Sequence, residues 1–158
     1  MFITLENKKL KVTLSTFAGS IESILNKETG NEHFWHYDSA VWPRRTPICF
    51  PICGGLTDGE YTYQGKTYSL PMHGFLREKE MTLIEQSSTK AVLEFVSNEE
   101  TKAVYPFDFK FTLIEELSED CFFIRYIHPD ENRIATLVND GLGDLGTGLG
   151  ANVEDGNF

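Results

Sequence analysis

Long apolar runs are missing from this 158-residue chain: no segment approaches the ~18 consecutive apolar residues of a membrane-spanning helix. Basic residues are scarce, 14 against 24 acids, for a formal net charge of −10. Binding to nucleic acid needs a concentrated basic surface to displace counterions, so the charge argues against a nucleic-acid partner and disfavours an anionic membrane surface for the same reason. Cysteine is also sparse. Cys49, Cys53 and Cys121 are an odd number, and Met1 to Lys9 carries an acid and two lysines where a secretory signal needs an apolar stretch. The three therefore read as reduced, mostly buried thiols of a cytoplasmic protein. A helical apolar stripe is lacking too: nowhere does one persist for three turns.

What is present is β-pattern and aromatic mass. Residues 1–127 hold both tryptophans, all six tyrosines and eleven of the twelve phenylalanines. Short apolar–polar alternations recur between turn signals. They run over Leu10–Leu14, Ser20–Leu25, Tyr61–Tyr63, Thr67–Leu70, Met81–Glu85, Ala91–Val96, Phe107–Ile114 and Cys121–Tyr126. Asn26-Lys27-Glu28-Thr29-Gly30 reads as a turn, and Gln64-Gly65-Lys66 as a tight hairpin in which glycine supplies the positive φ. The expected fold is an all-β antiparallel sandwich. Residues 128–158 differ. Six acids face one base, Arg133, and six of the thirteen glycines fall there, so this stretch reads as an acidic, glycine-rich tail behind a boundary near residue 127.

Few residues could carry chemistry. His33 and His36 stand three apart, which in a strand puts them on opposite faces, so the spacing favours structural histidines over a ligand pair. Cys49 and Cys53 would lie about 13 Å apart in extended chain, too far for a disulfide or a shared metal, and read as small core residues. Cys121 reads the same way, and no metal site is expected. The dense stretch is Trp42 to Gly55, where Arg44 and Arg45 stand between Trp42 and a segment punctuated by Pro47 and Pro51. These prolines exclude a helix or a central strand. A guanidinium beside aromatic faces suits a polyhydroxylated ligand, since its five donors reach hydroxyl and ring oxygens. The alternative is that both arginines are solvated or stack on Trp42. His73 precedes Gly74 in a Pro/Gly loop after the hairpin, where an imidazole can exchange a proton near neutral pH.

Taken together, Trp42-x-Arg44-x-x-Pro47-Ile48-x-Phe50-Pro51-x-x-Gly54, Tyr61-x-Tyr63-x-Gly65-Lys66-x-Tyr68-x-Leu70-x-x-His73-Gly74-Phe75-x-Arg77 and Tyr105-Pro106-Phe107-Asp108-Phe109 resemble the aldose 1-epimerase (galactose mutarotase-like) family. The likeness runs from the first strands to about Tyr126. It implies a large antiparallel supersandwich, of which this chain matches an N-terminal portion, incomplete at the C-terminus. It also implies interconversion of the α and β anomers of a free hexose by acid/base ring opening, with no metal or organic cofactor. By the resemblance Arg44 and His73 bind the sugar, His73 near the ring oxygen or anomeric centre as the catalytic residue. Phe75 is a substrate-binding neighbour, Trp42 another aromatic neighbour, and Gly74 lets the chain approach the ligand. Two features depart from the family. Its general-acid histidine sits in a Gly-Gly-His-Pro-x-Phe-Asn-like loop, whereas His128-Pro129-Asp130-Glu131-Asn132 keeps only His-Pro and the Asn. No later residue matches its general-base glutamate, and Glu154 is an acid in the glycine-rich tail. Three readings follow: a sugar-anomer isomerase, a carbohydrate-binding or self-associating module that presents unpaired sheet edges, and a nonfunctional relic.

Overall fold

The computed structural model describes residues 1–35, 37–46 and 48–127. Within them, besides two single 3-10 turns at Thr57–Gly59 and Leu76–Glu78, the chain forms nine strands and one short α-helix. These are β1 (Phe2–Glu6), β2 (Leu10–Ser15), β3 (Ser20–Asn26), β4 (Glu60–Tyr63), β5 (Lys66–Ser69), β6 (Thr82–Gln86), β7 (Lys90–Val96), α1 (Glu99–Val104), β8 (Lys110–Ser118) and β9 (Cys121–Ile127). The strands make a three-stranded sheet β1-β2-β3, a hairpin β4-β5 and a four-stranded sheet β6-β7-β8-β9, every pairing antiparallel between chain neighbours. The fold is an antiparallel β-sandwich.

Alternation dictates which face of each strand is buried, because successive side chains point to opposite sides. On β1 and β2, Ile3, Leu5, Leu10, Val12 and Leu14 go inward while Phe2, Thr4, Glu6 and Lys11 face out. On β7 and β8, Ala91, Leu93, Phe111, Leu113 and Leu117 meet them in a common core. Each such fully buried aliphatic side chain contributes about 1.5–3 kcal/mol. The loops between the hairpin and the sheets add Ile48, Phe50, Phe75 and Leu76. Phe50 lies at the centre of an aromatic cluster, with ring centroids 4.9 Å from Phe109, 5.2 Å from Phe111 and 5.9 Å from Phe75.

The turns follow the sequence chemistry. Gln64 and Gly65, both at positive φ, close the β4-β5 hairpin between the paired Tyr63 and Lys66, which is the geometry that matches strand twist. After β3, Asn26 Oδ1 accepts from the backbone N–H groups of Glu28 and Thr29. Asn98 caps α1 by accepting from Thr101 N while the Thr101 hydroxyl accepts from Asn98 N.

Several expectations are corrected. β1 is a full strand that the sequence reading passed over. One helical turn interrupts the all-β pattern at Glu99–Val104. Of the cysteines only Cys49 is buried: Cys53 is exposed on a loop and Cys121 is exposed on the outward-facing series of β9. His33 is exposed. The expectations about the tail, His128 and Glu154 lie outside the described residues, as does His36. No helix among the described residues is long and apolar enough to cross a membrane.

Candidate functional site

A cleft of ≈ 250 Å³ opens where the β2-β3 turn, the stretch around Arg44 and the loop before β6 meet. Its walls are Phe17, Ala18, Ser20 and Glu22 from the turn and β3, Tyr37, Pro43, Arg44, Arg45 and Thr46 from the proline-punctuated segment, and Arg77. Three guanidiniums, one carboxylate, three hydroxyls (one of them the Tyr37 phenol) and two aromatic rings thus share one hollow.

The two adjacent arginines do different things. Arg45 is held on every side: its Nε meets Glu22 Oε2 at 2.7 Å, one terminal nitrogen donates to the carbonyls of Glu22 (2.8 Å) and Trp35 (2.7 Å), and its plane lies over the Tyr37 ring. It fastens the loop to β3. The stacking partner is Tyr37, whereas the sequence reading offered Trp42. Among the described residues Arg44 makes one ion pair, Nη2 to Glu78 Oε1 at 2.5 Å. The same carboxylate oxygen lies 3.9 Å from Arg77 Nε, so Glu78 stands between the two guanidiniums. Arg77 Nε is buried without a hydrogen-bond partner; at 3.9 Å the Glu78 contact is a charge contact only. Both guanidiniums line the cleft, where such donors suit a ligand with many acceptors.

His73 lies on the loop that also carries Arg77, but it does not line this cleft. Its backbone is at φ +66, and the loop is laced to the Cys49–Gly54 segment. Phe50 N donates to His73 O (3.2 Å), His73 N to Gly54 O (2.8 Å), Gly54 N to His73 Nδ1 (3.0 Å) and Phe75 N to Phe50 O (2.9 Å). An Nδ1 that accepts from a backbone amide carries no proton, so the neutral ring bears its proton on Nε2 and presents a donor. Gly74 makes this lacing possible. A Cβ there would lie 2.0 Å from the Phe50 carbonyl oxygen. Phe75 is buried against Phe50, Phe109 and Tyr105. Trp42 is exposed, on a turn anchored by Asp38.

The lacing also overturns the distance argument for the cysteines. The segment is folded rather than extended, and Cys49, Cys53 and His73 present ligand-type atoms that all lie within 4.8 Å of one another.

Sequence reasoning passed over Glu22, Tyr37 and Glu78, and quoted Arg77 only within a motif. Nothing in their local sequence marks the first three, because they reach the site through tertiary packing. For Arg77 the signal was its place four residues after His73.

Comparison with known proteins follows the same lines. A family model described as Aldose 1-epimerase matches residues 1–142. The LacX protein of Lactococcus lactis subsp. lactis is 32% identical over 123 residues, covering 75% of this chain and 41% of LacX. A galactose mutarotase related enzyme from Lactobacillus acidophilus superposes with a TM-score of 0.78 at 35% identity, over 80% of this chain and 42% of that one. A galactose mutarotase-like protein from Lactobacillus casei gives 0.78 at 27% identity, over 81% and 44%. The chain thus spans about two-fifths of the length of the relatives it matches.

Proposed function

Because this chain belongs to the aldose 1-epimerase family, we propose that it binds a free hexose between the Arg44–Arg77 cleft and the His73 loop and promotes interconversion of its α and β anomers. The observation that carries this reading is the pair of guanidiniums held about Glu78 in a hollow that also offers the Tyr37 ring. Planar forks of donors match sugar hydroxyl and ring oxygens, and an aromatic face covers the C–H side.

Anomer exchange requires a proton to leave the anomeric hydroxyl and another to reach the ring oxygen. The C1–O5 bond then breaks, the carbonyl end rotates, and the ring closes on the other face. His73, with its proton on Nε2, is assigned to the ring oxygen as a hydrogen-bond donor that polarises the breaking bond. A cytoplasmic location goes with the reading, since none of the three cysteines is disulfide-bonded among the described residues.

A second reading, a carbohydrate-binding module without turnover, is favoured by one observation. Glu22 is the carboxylate lining the cleft among the described residues, and it is tied to Arg45 Nε at 2.7 Å, so it orients the loop instead of accepting a proton. Loss of a positioned base removes roughly 10²–10⁴-fold of acceleration.

The test is two-dimensional exchange NMR on glucose and galactose with the purified chain. Cross-peaks between α and β anomers above the buffer rate support the isomerase. Sugar-induced shifts at Arg44 and Arg77 side chains without added exchange support the binding module. Neither shift nor exchange at millimolar hexose overturns both.

A further inference from the structure

We propose that Cys49, Cys53 and His73 form a binding site for one thiophilic divalent metal ion of the zinc class. Two thiols and an imidazole converge here from two loops, with their ligand-type atoms all within 4.8 Å of one another. A tetrahedral zinc bound to sulfur at about 2.3 Å spaces its ligand sulfurs about 3.8 Å apart, so closure onto an ion asks for movements of about 1 Å. Soft sulfur donors with one imidazole select zinc or cadmium over calcium or magnesium, which prefer oxygen.

The backbone that carries these side chains is fixed before any ion arrives. Two hydrogen bonds, Phe50 N–H to His73 O and His73 N–H to Gly54 O, tie the His73 backbone on both sides to the segment that bears the cysteines. Gly74 brings the loops into contact through its close approach to Phe50. Burial of Cys49 shelters one side of the trio, and exposure of Cys53 leaves an entry path and room for a water as fourth ligand.

Binding has a definite proton balance. Each thiol releases one proton to solvent, and the two thiolates neutralise the divalent charge. The imidazole keeps its one proton. If the ion takes Nδ1, it displaces the Gly54 N–H. If it takes Nε2, the ring proton moves to Nδ1, which then faces the Gly54 N–H as a second donor. Either way the 3.0 Å bond from Gly54 N to His73 Nδ1 ends, and the Gly54 amide becomes a local reporter. Withdrawal of His73 from a sugar would follow, and that consequence alone rests on the function proposed above. Metal binding does not rest on it.

The experiment is a titration of the reduced 158-residue chain with cobalt(II) under argon, without sugar, followed by zinc. One equivalent of cobalt is expected to give the visible bands of a tetrahedral site with a sulfur-to-metal charge-transfer band, lost on adding zinc, and to displace the Gly54 amide resonance. Cys53→Ser, at an exposed position, is expected to weaken binding at least ~10-fold, and Cys49→Ser likewise wherever it folds. Cys121→Ser, outside the trio, should leave the titration unchanged. Absence of sulfur-to-cobalt bands at one equivalent overturns the proposal. So does a full-strength band in Cys53→Ser, or its loss in Cys121→Ser.

Discussion

Gly74 lies so close to Phe50 that a Cβ on it would sit 2.0 Å from the Phe50 carbonyl oxygen and 2.4 Å from the carbonyl carbon. The neighbour is backbone, which cannot rotate aside, and Gly74 has φ +70 besides. Gly74→Ala should therefore destabilise the chain by roughly 3 kcal/mol or more. Gly30, at φ +74 with open space around it, isolates the conformational part: Gly30→Ala should cost about 1 kcal/mol. Urea unfolding of the two variants beside the parent checks the difference. Equal losses would mean that the contact with Phe50 is not what demands glycine.

Glu115 faces the core on β8 in the series Phe111, Leu113, Glu115, Leu117. Neither carboxylate oxygen has a hydrogen-bond partner, and burial lifts its pKa from 4.5 to about 8. Tyr126, whose own pKa is raised by burial first and by Glu115 next, lies beside it, with Cys49 nearby. The folded state thus holds a proton that the unfolded state releases above pH 4.5. Stability should be greatest below that pH, as far as this group is concerned, and should fall by a few kcal/mol as pH rises toward 8. Glu115→Leu should flatten this slope and raise the unfolding midpoint at pH 8. Chemical denaturation between pH 4.5 and 8.5 measures both, and an unchanged slope in the variant would assign the pH dependence elsewhere.

Arg44 and Glu78 separate binding from positioning. Arg44→Ala removes a guanidinium assigned to the sugar and should weaken hexose binding roughly 10-fold or more, since a hydrogen bond to a charged group contributes about 1.5–3 kcal/mol. Glu78→Gln leaves Arg44 in the cleft with a weaker partner and should weaken binding less. Both pair members are partly exposed, so neither change should alter overall stability by more than about 1 kcal/mol. NMR-monitored hexose titrations rank the three proteins. Tighter binding by Arg44→Ala than by the parent would remove Arg44 from the site.

The capping box at α1 offers a local test. Asn98→Ala deletes the side-chain acceptor of Thr101 N and should cost about 1 kcal/mol, read as a lowered thermal midpoint. Thr101 is buried, so Thr101→Ala adds a packing loss and should cost more. The reverse order would place the stabilising contact outside the cap.

Strand positions were legible because alternation is a local, period-two signal. Leu10, Val12 and Leu14 announced their buried face, and Gln64-Gly65 announced its turn. The same signal was present and unread at Phe2-Ile3-Thr4-Leu5-Glu6, and at Glu115, whose neighbours two residues away on either side are leucines. α1 spans six residues, too short for helical periodicity to show. At the cleft, Arg44 could be picked out from its aromatic and proline surroundings, but its partner Glu78 is 34 residues away, and the division of labour between Arg44 and Arg45 depends on which carboxylate each one meets.

By itself the sequence determined the strand faces, the turns and the family, since each is written in patterns spanning a few residues or in motifs in a fixed order. Only the tertiary structure decided which side chains share a hollow. Three guanidiniums around one cleft, and two thiols beside one imidazole, come from loops whose approach is set by a glycine that admits a neighbouring carbonyl and by hydrogen bonds between segments some twenty residues apart. A linear pattern cannot encode such proximity, because it arises from the packing of the loops against a common core.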